Sequence, residues 1–341
     1  MNDPSDAPMS QLSAHLDRGW DLVARGDLAG AKRSAEESLE LDEASPEAHN
    51  LMGYIFHAEG RAEEALEHYR HALELDESYI DAMLNAAELL LHPVADFDGA
   101  LEMVREARDW LEEDGTPDEL AETMLLEVDI HLARGDRVSA GSVVRDLPAG
   151  PFENPRLGTA VGRALVDVGE PDAALALLQE AVQQVPPTSD AFYYLGLALE
   201  AKQDMKGALI AFLQSREIDA QGEAPPWTLP LDQFERRVQV ALGALPEDVA
   251  HVIEGALVVV TDLPGAEVVS EGVDPRAPAL VDGLSAPNEP EKVTRIFVYK
   301  RNVERLAPGL FEVDAEITRA VLFEMQSAFG WPADETPPTP A

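Results

Sequence analysis

The sequence predicts a mainly α-helical chain in two parts, a solenoid of stacked helical hairpins followed by a small α+β domain. Three observations carry that prediction. Small and apolar residues recur at a fixed period of 34 residues over the first two-thirds of the chain. Glycines punctuate the recurrence where helices would break. A cluster of prolines at 225–230 then ends the pattern, and short apolar runs of strand type follow it.

The recurrence is read from paired glycines. Gly26 precedes Gly60 by 34 residues, Gly135 precedes Gly169 by 34, and Gly162 precedes Gly196 by 34. Each unit reads as two amphipathic helices broken at Gly26-Asp27, Gly60-Arg61, Gly135-Asp136 or Gly169-Glu170, where glycine supplies a left-handed end to the first helix. Gly53, Ala65, Gly162, Ala174, Gly196 and Ala208 stand where two helices would cross. Phe56, Tyr69, Leu165, Leu178, Leu199 and Phe212 are the bulky residues that would fill the space between them.

Those positions resemble the tetratricopeptide repeat, most closely at 46–79 and 189–220. Units at 12–45, 121–150 and 155–188 lack some aromatic positions, and the unit at 80–114 carries an insertion around His92-Pro93. The resemblance implies about six hairpins over 12–221, preceded by a flexible N-terminus at 1–11. Hairpins of this kind cannot bury their apolar faces alone, and stacking gives them a continuous core and a groove. The first helix of each repeat faces that groove, which nominates Trp20, Asn50, Tyr54, His57 and Tyr193 as partner-binding residues.

Composition bounds the function. The chain has 341 residues, 45% of them apolar, enough for two ordered domains. Its 65 acidic and 25 basic side chains give a formal charge of -40. That charge repels nucleic-acid phosphate and anionic lipid and favours basic protein partners. It is concentrated early, with 45 acidic and 16 basic side chains in residues 1–221. The chain lacks cysteine, which excludes a disulfide framework, a thiolate nucleophile and a Cys-based zinc site. No apolar stretch reaches membrane-spanning length, and the opening Met1-Asn2-Asp3-Pro4 has no signal-peptide character, so a cytoplasmic location is expected.

The helical pattern stops at a proline-rich linker, 222–230. Beyond it, a helix is expected at 231–245, buried strands at 256–260 and 295–299, a Pro- and Gly-rich stretch at 263–290, and a last helix opening at an N-cap, Asp314, and stopping at Gly330 and Pro332. The tail 333–341 reads as disordered. Lys292, Arg295, Lys300, Arg301 and Arg305 form a basic cluster against the acidic background, suited to docking on the acidic repeats or on a partner's acidic patch, or simply to facing solvent.

This order of elements, over about 231–332, resembles the small zincin-like metallopeptidase family, whose signature is His-Glu-x-x-His on the final helix. Residues four apart on a helix share a face and can both ligate zinc, with the glutamate as general base. Here the stretch reads Phe323-Glu324-Met325-Gln326-Ser327, so the glutamate is kept and both ligand positions, Phe323 and Ser327, are lost. A phenyl ring has no lone pair to give and a serine hydroxyl is a weak ligand. His251 is the one histidine after the linker, and Asp314, Glu316, Glu324 and Asp334 show no cation-loop spacing. The resemblance therefore implies a degenerate zincin-like domain with a vestigial Glu324, no catalytic residue, no metal and no cofactor.

The reading that follows is a cytoplasmic interaction scaffold or adaptor, whose repeats bind a protein or peptide and whose inactive peptidase-like domain is a second binding surface. Two alternatives stay open: a zinc peptidase with unconventional ligands, and a chaperone or inhibitor that holds a secreted or proteolytic partner.

Overall fold

The structure is a computed structural model that describes residues 6–284 and 292–329. The helix stop at Gly330 and Pro332, Asp334, the tail 333–341 and residues 1–5 of the N-terminal lead-in lie outside the described residues. The chain forms two compact units, residues 1–181 and 182–341.

The first unit contains five helical hairpins. They are α1 (Asp6–Ala24) with α2 (Leu28–Leu41), α3 (Pro46–Ala58) with α4 (Ala62–Leu75), α5 (Ile80–Leu91) with α6 (Phe97–Asp114), α7 (Pro117–Ala133) with α8 (Arg137–Arg145), and α9 (Leu157–Val168) with α10 (Pro171–Ala181). Helix α1 begins at Asp6, inside the stretch expected to be flexible. The turns follow the local chemistry. Gly26 and Gly135 sit at φ +76° and +81°, a backbone region that costs a residue with a Cβ about 1 kcal/mol or more. The aspartate after the glycine then caps the second helix: Asp136 accepts from the Ser139 amide at 3.0 Å, and Asp27 from the Gly30 amide at 2.8 Å. Each such cap is worth about 1 kcal/mol.

In the second and fifth hairpins, a small residue on the first helix meets a large one on the second. A Cβ added at Gly53 would lie 2.6 Å from the Tyr69 ring, and one at Gly162 would lie 2.6 Å from Leu178. Tyr69, Ala65 and Ala174 are fully buried. The first helices also touch one another across hairpins, α1 to α3, α3 to α5, α5 to α7 and α7 to α9, and so form one inner layer.

The second unit opens with a sixth hairpin, α11 (Ser189–Ala201) and α12 (Met205–Gln221), whose crossing is packed by Gly196 against Phe212. It continues with α13 (Leu231–Gly243), α14 (Glu247–Val252), β1 (Leu257–Thr261), α15 (Ala266–Ser270), β2 (Ala279–Leu284), β3 (Lys292–Tyr299), α16 (Lys300–Leu306) and α17 (Val313–Phe329). The strands form one sheet in the order β1-β3-β2, with β1 parallel and β2 antiparallel to β3. Phe234 and Val238 of α13, Ile296 and Val298 of β3, and Ile317, Val321 and Met325 of α17 share its core.

Three details differ from expectation. Strand β2 and helix α15 lie in the stretch expected to be irregular; β2 carries a bulge between Asp282 and Gly283, which breaks the alternation a strand normally shows. Helix α17 begins at Val313, so Asp314 sits in its first turn and pairs with Arg237 at 3.1 Å instead of capping. The proline-rich segment 222–230 is packed rather than loose. The Leu229 amide donates to Glu304 Oε1 at 3.0 Å, Thr228 Oγ1 donates to Glu304 Oε2 at 2.7 Å, and Lys300 Nζ reaches Glu304 at 2.9 Å.

Candidate functional site

The inner helices carry the nominated residues, and the structure treats them unequally. Trp20 on α1 and Tyr54 on α3 meet edge to face with ring centroids 5.3 Å apart, both half-buried. They form one aromatic patch across two hairpins. His57, one turn further along α3, is half-buried, and that burial lowers its pKa below the ordinary histidine value.

Asn50 is 1% exposed and already committed. Its Oδ1 accepts from Asn85 Nδ2 at 2.9 Å and its Nδ2 donates to Tyr79 Oη at 3.3 Å, so it ties α3 to the next hairpin. Tyr193 on α11 is committed too. Its hydroxyl donates to Asp274 Oδ2 at 2.9 Å, and the Arg276 guanidinium lies 4.3 Å from its ring centroid. Arg276 Nη2 donates to Ser189 Oγ at 2.7 Å and to Asp190 Oδ1 at 2.6 Å. The inner face of the sixth hairpin is thus covered by the segment between α15 and β2.

Part of the basic cluster docks on the same hairpin. Arg301 Nη1 donates to the Asp219 and Gly222 carbonyls at 2.7 and 2.9 Å, and Arg305 pairs with the Asp219 carboxylate at 2.8 Å. Lys300 turns inward to Glu304, Arg295 pairs with Asp282, and Lys292 is exposed.

Beside α7 the first unit keeps two open cavities, one of about 350 Å³ toward α5 and one of about 310 Å³ toward α9, which share Glu122. Their walls combine leucines with carboxylates. Glu88 lines the second, and burial raises its carboxyl above the usual range. The sequence reading missed these residues because it weighted aromatics over acids. A third cavity, of about 680 Å³, lies along α6 and α8 beside His131. Next to it the buried Glu127 is held by Arg105 at 3.0 Å and Arg108 at 3.3 Å.

On α17, Glu324 is half-buried, and burial raises its carboxyl above the usual range while the Val281 backbone opposes the shift. Beside it stands Tyr299, 2% exposed, its hydroxyl without a hydrogen-bond partner among the described residues and its pKa pushed up to about 12, first by burial and then by Glu324 and Glu267. Phe323 is 66% exposed and Ser327 is exposed. His251 points to solvent 3.7 Å from Glu254, and Glu316 pairs with Arg319. Among the described residues, no group of three or more metal-ligating side chains is placed to hold an ion.

Comparison with known proteins bears on the helical part. Residues 16–80 and 159–223 match the tetratricopeptide repeat family profile. The solved structure of PilF from Pseudomonas aeruginosa is similar, with 18% identity over 62% of this chain and 93% of that one and a TM-score of 0.52. PilW, described as a widely conserved type IV pilus biogenesis factor, shares 15% identity over 62% of this chain and 95% of that one, with a TM-score of 0.51. No curated protein matches the chain. At these identities the likeness is one of fold. The chain is a mainly helical protein that carries tetratricopeptide repeats.

Proposed function

We propose that the protein is a holding device: its repeats bind a partner protein or peptide, and residues 231–332 are a metallopeptidase-like domain that no longer cuts. Repeat arrays of this kind are generally interaction scaffolds, because stacked hairpins expose a long inner surface that needs no cofactor to bind. The observation that carries the reading is the inner layer of the first unit, where the Trp20–Tyr54 pair is half-buried and two cavities open beside α7. The formal charge of -40 favours a basic partner.

The non-cutting half of the proposal rests on Phe323 and Ser327 at the two ligand positions of the degenerate motif. Glu324 without a neighbouring metal has no acidified water to deprotonate. Its raised pKa follows from burial, which a packed helix glutamate shows without any catalytic task.

Affinity purification of the full chain from cells of its source, followed by mass spectrometry, tests the holding half. The expected result is a stoichiometric protein partner that is lost when Trp20 and Tyr54 are both replaced by alanine. Recovery of no partner, or of one indifferent to that change, would sink the assignment of this surface. Metal analysis tests the other half. About one zinc per chain, with peptide hydrolysis abolished by Glu324→Ala, would instead establish a peptidase with unconventional ligands.

A further inference from the structure

The sixth hairpin shows what chemistry an inner helix of this chain accepts. Arg276 lies across α11 with its side chain only 13% exposed, bonded to Asp190 and Ser189 and stacked on Tyr193. Asp190 stands in the first turn of α11, at a fixed distance ahead of Gln203, the residue that takes the left-handed turn of that hairpin at φ +64°.

The same position in the fourth hairpin is an acid again. Glu122 stands as far ahead of Gly135, at φ +81°, as Asp190 does ahead of Gln203. In the third hairpin Asp81 stands one residue further ahead of Ala95, at φ +59°, because that turn holds the extra residue near Pro93. Asp81 and Glu122 therefore occupy the repeat position that holds an arginine in the sixth hairpin, and neither pairs with a basic side chain among the described residues. Both are exposed.

The surroundings fit the same ligand. Asp81 and Glu122 line the cavity of about 350 Å³, whose remaining wall includes Leu84 and Leu111. Thr123 lines it as well; it is 1% exposed and its hydroxyl has no hydrogen-bond partner among the described residues. A hydroxyl with free lone pairs at a cavity wall is satisfied by an entering donor, and ammonium and guanidinium groups carry only donors. The cavities on either side of Glu122 are lined by five carboxylates and one basic side chain, Arg156. Glu122 Oε1 accepts one bond, from Asn154 Nδ2 at 3.0 Å, and Glu88 has no cationic partner among the described residues. An acid-lined cavity with an aliphatic floor matches a side chain with an apolar stem and a cationic head.

We propose that the α5–α7 face is a binding site for a lysine or arginine side chain presented by an extended segment of a partner protein, with the stem over Leu84 and Leu111 and the head at Asp81 and Glu122. The inference rests on the reading of the array as a partner-holding surface, and it names the chemistry that surface reads.

The test is selection of displayed random nonapeptides on the full-length chain, in parallel with the Asp81→Asn/Glu122→Gln double variant. Both changes are near-isosteric and lie at exposed positions, and an unchanged melting curve checks the fold. Peptides enriched in lysine or arginine beside apolar residues are expected from the parent. Their affinity should fall about tenfold on the double variant and by a similar factor when the selected basic residue is replaced by norleucine. Selection of no peptide, selection without basic enrichment, or equal binding by parent and variant would each overturn the site. A partner captured from cells that binds the double variant as well as the parent would also remove this site while leaving the holding function standing.

Discussion

Tyr69 and Gly53 form one contact made by two residues: the ring lies where a Cβ at Gly53 would be, and it is fully buried. Its hydroxyl is buried as well and has no hydrogen-bond partner among the described residues. Removing an unsatisfied buried hydroxyl is neutral or stabilising, whereas removing the ring leaves a cavity. Thermal or urea unfolding should therefore find Tyr69→Phe at least as stable as the parent and Tyr69→Ala destabilised by about 3–5 kcal/mol. A Tyr69→Phe loss above about 1 kcal/mol would mean that the hydroxyl has a partner after all. This pairing was legible in the sequence, because a glycine at a crossing and a large residue at fixed spacing from it are two halves of one steric requirement. The fate of Asn50 and Tyr193 was not legible. Repeat alignment places both on inner helices and puts Asn85 at the position of Asn50 in the next hairpin, but the other groups that occupy them, Tyr79 for one and Asp274 and Arg276 for the other, follow no period.

At the scale of elements, the hairpins were readable from their breaks, since a left-handed glycine followed by a capping aspartate is a local backbone demand. The sheet was readable only in part. Strands β1 and β3 are apolar runs that sit next to each other, whereas β2 is interrupted by its Asp282-Gly283 bulge and borders a proline-rich stretch. Segment 222–230 misled for a different reason. Prolines signal the end of a helix correctly, but they do not say whether the chain beyond is free. Here it is clamped by the buried pair Lys300 and Glu304, whose side chains are 9% and 0% exposed. Breaking a buried pair on one side strands the other charge, at a cost of about 3–5 kcal/mol. Lys300→Met should accordingly lower the stability of the second unit by that amount and speed proteolysis near 222–230. Unchanged unfolding and cleavage would show that the clamp is dispensable.

For the whole molecule, the charge of -40 spread over 341 residues acts on every folded state at once. Self-repulsion of that size opposes compaction and is relieved by counterions within about a Debye length. Raising salt from about 20 mM to about 500 mM should lift the melting temperature by several degrees, and a flat or falling profile would mean that local ion pairs such as Glu127 with Arg105 and Arg108 outweigh the net charge. Salt should weaken a basic partner's binding over the same range, so stability and affinity are expected to move in opposite directions. The covered face of the sixth hairpin has a consequence of another kind. Stacked repeats are a one-dimensional polymer, and such polymers grow wherever a unit offers its neighbour an unsatisfied face. Helix α15 packs on α12, and Arg276 occupies the inner side of α11. In polymer terms the segment 264–277 is a chain stopper: that hairpin has spent its inner contacts on its own polypeptide.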